Sequence, residues 1–244
     1  MFSNPHHLFI IKNVGGNTMI KKLYVVPFAG GSSYSFKHMK ELLKGDVDLI
    51  AWDGKGKGVN ADIPPNTEFK DEIDDFANFL KEQYDGNPYA VWGYSCGGLI
   101  SYEACHVLQK DGFPMPERLF LAAVKPAAEF ISPYREPITD ELVMKHIMEM
   151  NDITDPTPIM KNIEEIKSGM MFAAKYRYED KGPLHIPASI MTADDDFVTK
   201  SGVSNWSNYF TEDVNYETFH GHHFFYRKQP AKVAEFIKSQ LCRH

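Results

Sequence analysis

The sequence is short of several things, and each shortage excludes a class. Cysteine occurs only three times in 244 residues, as Cys96, Cys105 and Cys242. Their spacing fits neither a metal-ligand pattern nor a disulfide frame. Basic charge is outnumbered, 26 Lys and Arg against 33 Asp and Glu, for a net charge of −7. A nucleic-acid partner needs a basic face, so none is expected. No apolar run approaches the roughly 20 residues that span a bilayer, and Leu8-Phe9-Ile10-Ile11 is too short for a signal-peptide core and lacks a cleavage pattern. Repeats and low-complexity tracts are missing too. No membrane association is expected; a cytoplasmic monomer is.

What is present is the composition of an ordinary globular protein, 43% hydrophobic and 24% charged, at a length suited to one domain with room for an insertion. The most informative stretch runs from Tyr89 to Tyr102. Tyr89 to Trp92 reads as a buried strand, Gly93-Tyr94-Ser95-Cys96-Gly97 as a sharp turn, and Leu99, Ile100, Tyr102, Ala104 and Val107 recur at helical spacing. Gly-x-Ser-x-Gly is weak alone; between a strand and a helix it marks a nucleophile elbow. The turn is so tight that a side chain at either glycine would strike the neighbouring strand or helix. It also sets Ser95 at a helix N-terminus, which favours developing negative charge.

Around this stretch, strands and helices alternate. Strands are predicted over Leu23–Phe28, Val47–Trp52, Arg118–Val124, Ile186–Thr192 and Val214–Phe219, with helices through Phe36–Leu43, Phe69–Leu80, Val203–Phe210 and Val233–Leu241. That rhythm implies an α/β fold, a mostly parallel doubly wound sheet. The glycine-rich Asp53–Gly58 run lacks the Gly-Lys-Ser/Thr ending of a phosphate loop, so nucleotide binding there is rejected. From about Ile131 to Gly182 no strand is predicted. Instead there is a helix near Thr139–Met150, a turn at Asp155–Pro158 and a helical stretch over Ile159–Tyr178. Six of the eleven methionines lie there, including Met144, Met148, Met170 and Met171. Methionine fills irregular apolar space, so the segment reads either as a helical subdomain packed on itself or as a lid over an acyl channel. The predicted organisation is an N-terminal extension over 1–20, a core over 21–130 and 184–244, and a helical insertion over 131–183.

A serine hydroxyl needs a histidine to take its proton and an acid to orient that imidazole. In the α/β-hydrolase order the acid and then the histidine follow the serine, each after a late strand. Asp194-Asp195-Asp196 follows one predicted strand and His220-Gly221-His222-His223 the next.

The chain resembles type II (external) thioesterases of the α/β-hydrolase superfamily, which serve nonribosomal peptide and polyketide synthases. The resemblance runs from about Leu23 to Leu241. It is carried by Pro27 to Ser32, Asp53-Gly54-Lys55-Gly56, Gly93 to Gly98, Ala193 to Asp196 and Gly221 to Phe225. It implies Ser95 as nucleophile, His223 as base (the histidine before Phe-Phe) and Asp196 as acid. The backbone N–H groups of Ala29 and Cys96 would form the oxyanion hole. Apart from the resemblance, Phe28, Tyr94, Met144, Met148, Met170 and Met171 are the candidates for an acyl or lid pocket. The resemblance further implies hydrolysis of acyl thioesters on the phosphopantetheine arm of carrier proteins, for editing or release, with no cofactor and no metal. The sequence departs from the family pattern at Tyr94 (for His), Cys96 (for Met), Ala193 and His222 (for Gly), Asp53 (for Pro) and Lys55 (for Arg). Carrier domains are usually acidic, so Lys55, Lys57, Lys161, Lys167, Lys175 and Arg177 are candidate docking cations. The rivals are a carboxylesterase or acyltransferase of the same fold, a metal hydrolase using the Asp and His clusters, and a non-catalytic interaction module.

Overall fold

The computed structural model describes residues 20–132, 138–151, 154–200 and 202–242. The expected N-terminal extension therefore falls, apart from Ile20, outside the described residues. The chain forms β1 (Lys21–Val26), α1 (Lys37–Leu43), β2 (Val47–Ala51), α2 (Phe69–Gln83), β3 (Tyr89–Tyr94), α3 (Cys96–Lys110) and β4 (Arg118–Ala122). A helical segment follows, with α4 (Asp140–Asn151), α5 (Thr157–Met160) and α6 (Ile163–Ala173). Then come β5 (Ala188–Ala193), α7 (Phe197–Lys200), β6 (Val214–Phe219), α8 (Phe225–Lys228) and α9 (Pro230–Leu241).

The six strands make one sheet in the order β2-β1-β3-β4-β5-β6, every neighbouring pair parallel. Side chains alternate across it with period two. Tyr24, Val26, Val91, Leu119 and Ile190 face α2 and α3, where Phe76, Leu80, Leu99 and Leu108 complete one core. Leu23, Val25, Trp92, Phe120 and Met191 face α1 and α9, where Met39, Leu43, Val233 and Ile237 complete the other. Full burial of each such side chain contributes about 1.5–3 kcal/mol. Helices on both faces of a parallel sheet are the doubly wound arrangement, as the continuous apolar runs of β3 and β4 require. Strand order reverses between β1 and β3, and ligands of open parallel sheets bind beyond the carboxyl ends at such a reversal.

Two helical expectations are corrected. The stretch foreseen over Ile159–Tyr178 is two helices that end at Ala173, because Tyr176 turns inward to donate a 2.5 Å hydrogen bond to the buried Glu103. The stretch foreseen over Val203–Phe210 is a 3-10 turn, Ser204–Tyr209, with Trp206 fully buried. The segment between β4 and β5 has its own small core of Val143, Ile147, Ile159 and Met170. No described helix is long and apolar enough to cross a membrane.

Candidate active site

The turn after β3 places Ser95 at φ 54°, ψ −123°, a conformation that L residues rarely adopt. The two flanking glycines make it possible. A Cβ at Gly93 would lie 2.5 Å from the carbonyl oxygen of Gly97, and one at Gly97 would lie 2.3 Å from that of Val26. The first collision is with α3 and the second with the end of β1, the helix and strand that the spacing anticipated.

The loops after β5 and β6 bring the other two predicted groups to Ser95. His223 Nε2 lies 3.0 Å from Ser95 Oγ, and His223 Nδ1 lies 3.1 and 3.2 Å from the two carboxylate oxygens of Asp196. Asp196 and His223 are 1% and 4% exposed, so the pair is shielded from water. Asp196 also accepts the backbone N–H of Val198 at 3.2 Å. With the carboxylate on Nδ1, that nitrogen carries the proton and Nε2 is left to accept one from serine. The adjacent aspartates take the adjacent histidines, Asp194 with His220 at 2.9 Å and Asp195 with His222 at 3.1 Å. Among the described residues no three His, Cys, Asp or Glu side chains converge as a metal-ligand set.

Ser95 opens into a cavity of about 650 Å³ lined mainly by apolar side chains, with Phe28, Val124, Phe130, Ile147, Met170 and Phe197 among them. Ala29 and Cys96 line it beside the serine, and neither backbone N–H has an acceptor among the described residues. Of the predicted pocket residues, Phe28 and Met170 reach the cavity, whereas Tyr94, Met144, Met148 and Met171 are absent from its lining. Tyr94 is fully buried beneath it and donates a 2.6 Å hydrogen bond to the carbonyl of His223. Met144 and Met148 pack on the small core of the helical segment. Cys96 has a thiol pushed up to about 11, chiefly by burial, so it is a neutral SH at ordinary pH.

The structure adds groups that the sequence reading did not single out. Asp53, 6% exposed, accepts the Ser33 N–H at 2.6 Å, the Ser33 hydroxyl at 2.7 Å and the Val59 N–H at 3.0 Å. Its carboxylate thereby ties the Phe28–Ser33 loop to the loop after β2. A sequence signal was available, since an aspartate stands where the resembled motif has proline. Most of the candidate docking cations are already engaged. Lys55 pairs with Asp75 at 2.8 Å, Lys57 with Glu72 at 2.6 Å and Lys167 with Asp140 at 2.6 Å. Lys175 donates to the carbonyl of Thr67 and Arg177 to those of Ala174 and Tyr176.

With this geometry in hand, the comparisons with known proteins are direct. Residues 21–241 match the family model described as a thioesterase domain. The chain is 19% identical to the gramicidin S biosynthesis protein GrsT of Aneurinibacillus migulanus, over 98% of this chain and 95% of that protein. It is 23% identical to the AMB antimetabolite synthetase AmbE of Pseudomonas aeruginosa over 91% of this chain, and it spans only 11% of that much longer protein. Among solved structures, RedJ, a thioesterase from the prodiginine biosynthetic pathway in Streptomyces coelicolor, superposes with a TM-score of 0.81 at 21% identity, covering 89% of this chain and 84% of that one. ClbQ from the colibactin NRPS/PKS pathway gives a TM-score of 0.80 at 21% identity, covering 91% and 97%. At that level of identity the structural likeness shows a shared fold.

Proposed function

The chain belongs to the thioesterase family, and on that premise we propose that it hydrolyses acyl thioesters carried on the phosphopantetheine arm of carrier proteins, acting with nonribosomal peptide or polyketide synthases. The observation that carries the reading is the Ser95–His223–Asp196 chain of contacts at the mouth of an apolar cavity. Two similarities support the biological setting: GrsT is named for gramicidin S biosynthesis and ClbQ for an NRPS/PKS pathway.

His223 Nε2 takes the proton of Ser95 as Oγ attacks the thioester carbonyl carbon. The carbonyl oxygen becomes an oxyanion facing the N–H groups of Ala29 and Cys96, which have no competing acceptor among the described residues. Collapse expels the sulfur, which takes the proton from His223 and leaves an acyl-serine. A thiol, with a pKa near 8.5, is a far better leaving group than an alcohol. Water then gives a proton to His223 as it attacks the acyl-serine carbonyl, and collapse of that intermediate releases a carboxylic acid while His223 returns the proton to Ser95 Oγ. Asp196 holds the imidazole in the required tautomer and stabilises its charged form. The helical segment over 131–183 serves as the lid of the acyl cavity, to which it contributes Met170 and Ile147.

The test is a substrate panel of acyl-carrier protein, acyl-CoA and p-nitrophenyl ester, measured on the protein and on Ser95→Ala. The expected order of kcat/KM is acyl-carrier above acyl-CoA above ester, with Ser95→Ala lowering kcat by about 10⁴-fold or more. A preference for the oxygen ester would move the protein to carboxylesterase chemistry. Full turnover by Ser95→Ala would remove the acyl-enzyme.

A further inference from the structure

Helix α6 of the lid carries a glycine in its interior, Gly169. At such a position glycine costs about 1 kcal/mol relative to alanine, and no turn or positive φ there calls for it. Its surroundings do. A Cβ at Gly169 would lie 2.7 Å from the backbone nitrogen of Gly30 and 3.0 Å from both the carbonyl carbon and the Cβ of Ala29. The approach is reciprocal: a Cβ at Gly30 would lie 3.2 Å from Cα and Cγ1 of Ile166, one turn earlier on α6. The lid helix thus sits directly on the Ala29–Gly30 peptide, the peptide that follows the Ala29 N–H.

We propose that Gly169 is a positioning residue for catalysis, and that the oxyanion site is complete only when α6 is seated on the Ala29–Gly30 peptide. The inference rests on the thioester-hydrolase reading above and goes beyond it, because it gives a lid residue a role in the chemical step. The loop has two supports of different kinds. On one side Asp53 holds Ser33 from the sheet core through charge-assisted hydrogen bonds. On the other, the Ala29–Gly30 end is met by α6, which belongs to the separate small core of the helical segment. Met170, the next residue, lines the cavity, so acyl-chain contact and loop contact occupy adjacent positions of one helix. An acyl group packed against Met170 would hold α6, and α6 would hold the Ala29 donor.

Gly169→Ala separates this role from a purely structural one, because only the latter moves Tm and activity together. Alanine is the better helix former by about 1 kcal/mol, which offsets part of the packing lost where α6 lifts off the loop, so Tm should change far less than activity. Its methyl group overlaps the Gly30 peptide in the seated lid, so kcat should fall by about 10- to 100-fold, with KM changed less than about threefold. Ser95 labelling by a fluorophosphonate, whose phosphoryl oxygen uses the same donors, should slow by the same factor. Ser168→Ala, at the exposed neighbouring position, should leave all three quantities unchanged. Ile166→Ala, which trims the other half of the contact, should lower kcat in the same direction. A labelling rate and kcat within twofold of wild type in Gly169→Ala would overturn the proposal, as would a fall in Tm in step with activity. If the wild-type protein labels but turns over no thioester, the functional reading fails, and the ratio of labelling rates still decides the role of Gly169.

Discussion

Polar side chains are buried around the start of α3 and again along its middle, and the fold treats the two places differently. Around the first residue of the helix every buried polar side chain that the proposed chemistry uses is paired. Ser95 meets His223, His223 meets Asp196, Tyr94 meets the His223 carbonyl, and Asp53 meets Ser33. Two turns on, only Glu103 is paired, with Tyr176 and Lys181 at 2.5 Å each. The Tyr102 hydroxyl and His106 Nε2, both buried, have no hydrogen-bond partner among the described residues. A buried polar group that is bonded gives a fixed geometry; one left bare only lowers stability. Substitutions in the first region should therefore move the rate, and those in the second should move the stability.

Beyond Ser95 itself, the largest expected effect sharpens this contrast at Asp53. Asn at that position keeps one acceptor oxygen but turns an NH₂ group toward backbone N–H and hydroxyl donors. The Phe28–Ser33 loop then loses its charge-assisted anchor. Asp53→Asn should lower kcat by about 10- to 100-fold with little change in KM, and cost about 1–3 kcal/mol of stability. Steady-state kinetics with a denaturation curve checks both. A KM effect larger than the kcat effect would place Asp53 in substrate binding instead.

At His106 the contrast runs the other way. Burial, with a smaller contribution from Lys181, holds its imidazole down at about 4 from an ordinary 6.5. Between those values the unfolded chain binds a proton that the folded chain refuses. Stability is therefore full above pH 6.5 and declines as pH falls toward 4, by about 3 kcal/mol at most. His106→Leu should flatten that part of the Tm-against-pH curve and leave kcat at neutral pH unchanged. Parallel curves for the two proteins, or a matching loss of activity, would break the comparison.

Much of this was legible in the sequence because the determinants are local. The strand-glycine-serine-glycine-helix order fixes the elbow by sterics, and the strands stand out between turns, as continuous apolar runs in β3 and β4 and as a mixed polar and apolar run in β6. The histidine and aspartate needed more. Three aspartates stand against three histidines, and only the fold shows that they pair off, leaving one pair buried beside Ser95. Tyr94, Met144, Met148 and Met171 were expected at the cavity and are not there, since apolar character says that a side chain is buried and not against what. Helix α6 ends early because Tyr176 finds Glu103, 73 positions back in the chain. The Asp53 clamp and the Gly169 contact are likewise long-range, and no window of sequence contains both halves of either.

The smallest expected effect comes from the residue closest to the proposed nucleophile. Cys96 is the next residue after Ser95 and lines the same cavity, which makes it a rival nucleophile. Its thiol, pushed up to about 11 by burial, would be ionised in only about one molecule in a thousand at pH 8. What Cys96 offers the proposed reaction is its backbone N–H, and alanine supplies the same group. Cys96→Ala should keep kcat within about threefold of wild type, the residue of effect being the small void left by the sulfur. Iodoacetamide should inactivate the wild-type protein slowly, without the rapid phase of a low-pKa thiolate. A collapse of kcat in Cys96→Ala with Tm unchanged would mean that side-chain chemistry at the start of α3 extends beyond the serine, and the pairing argument would then have to include the thiol.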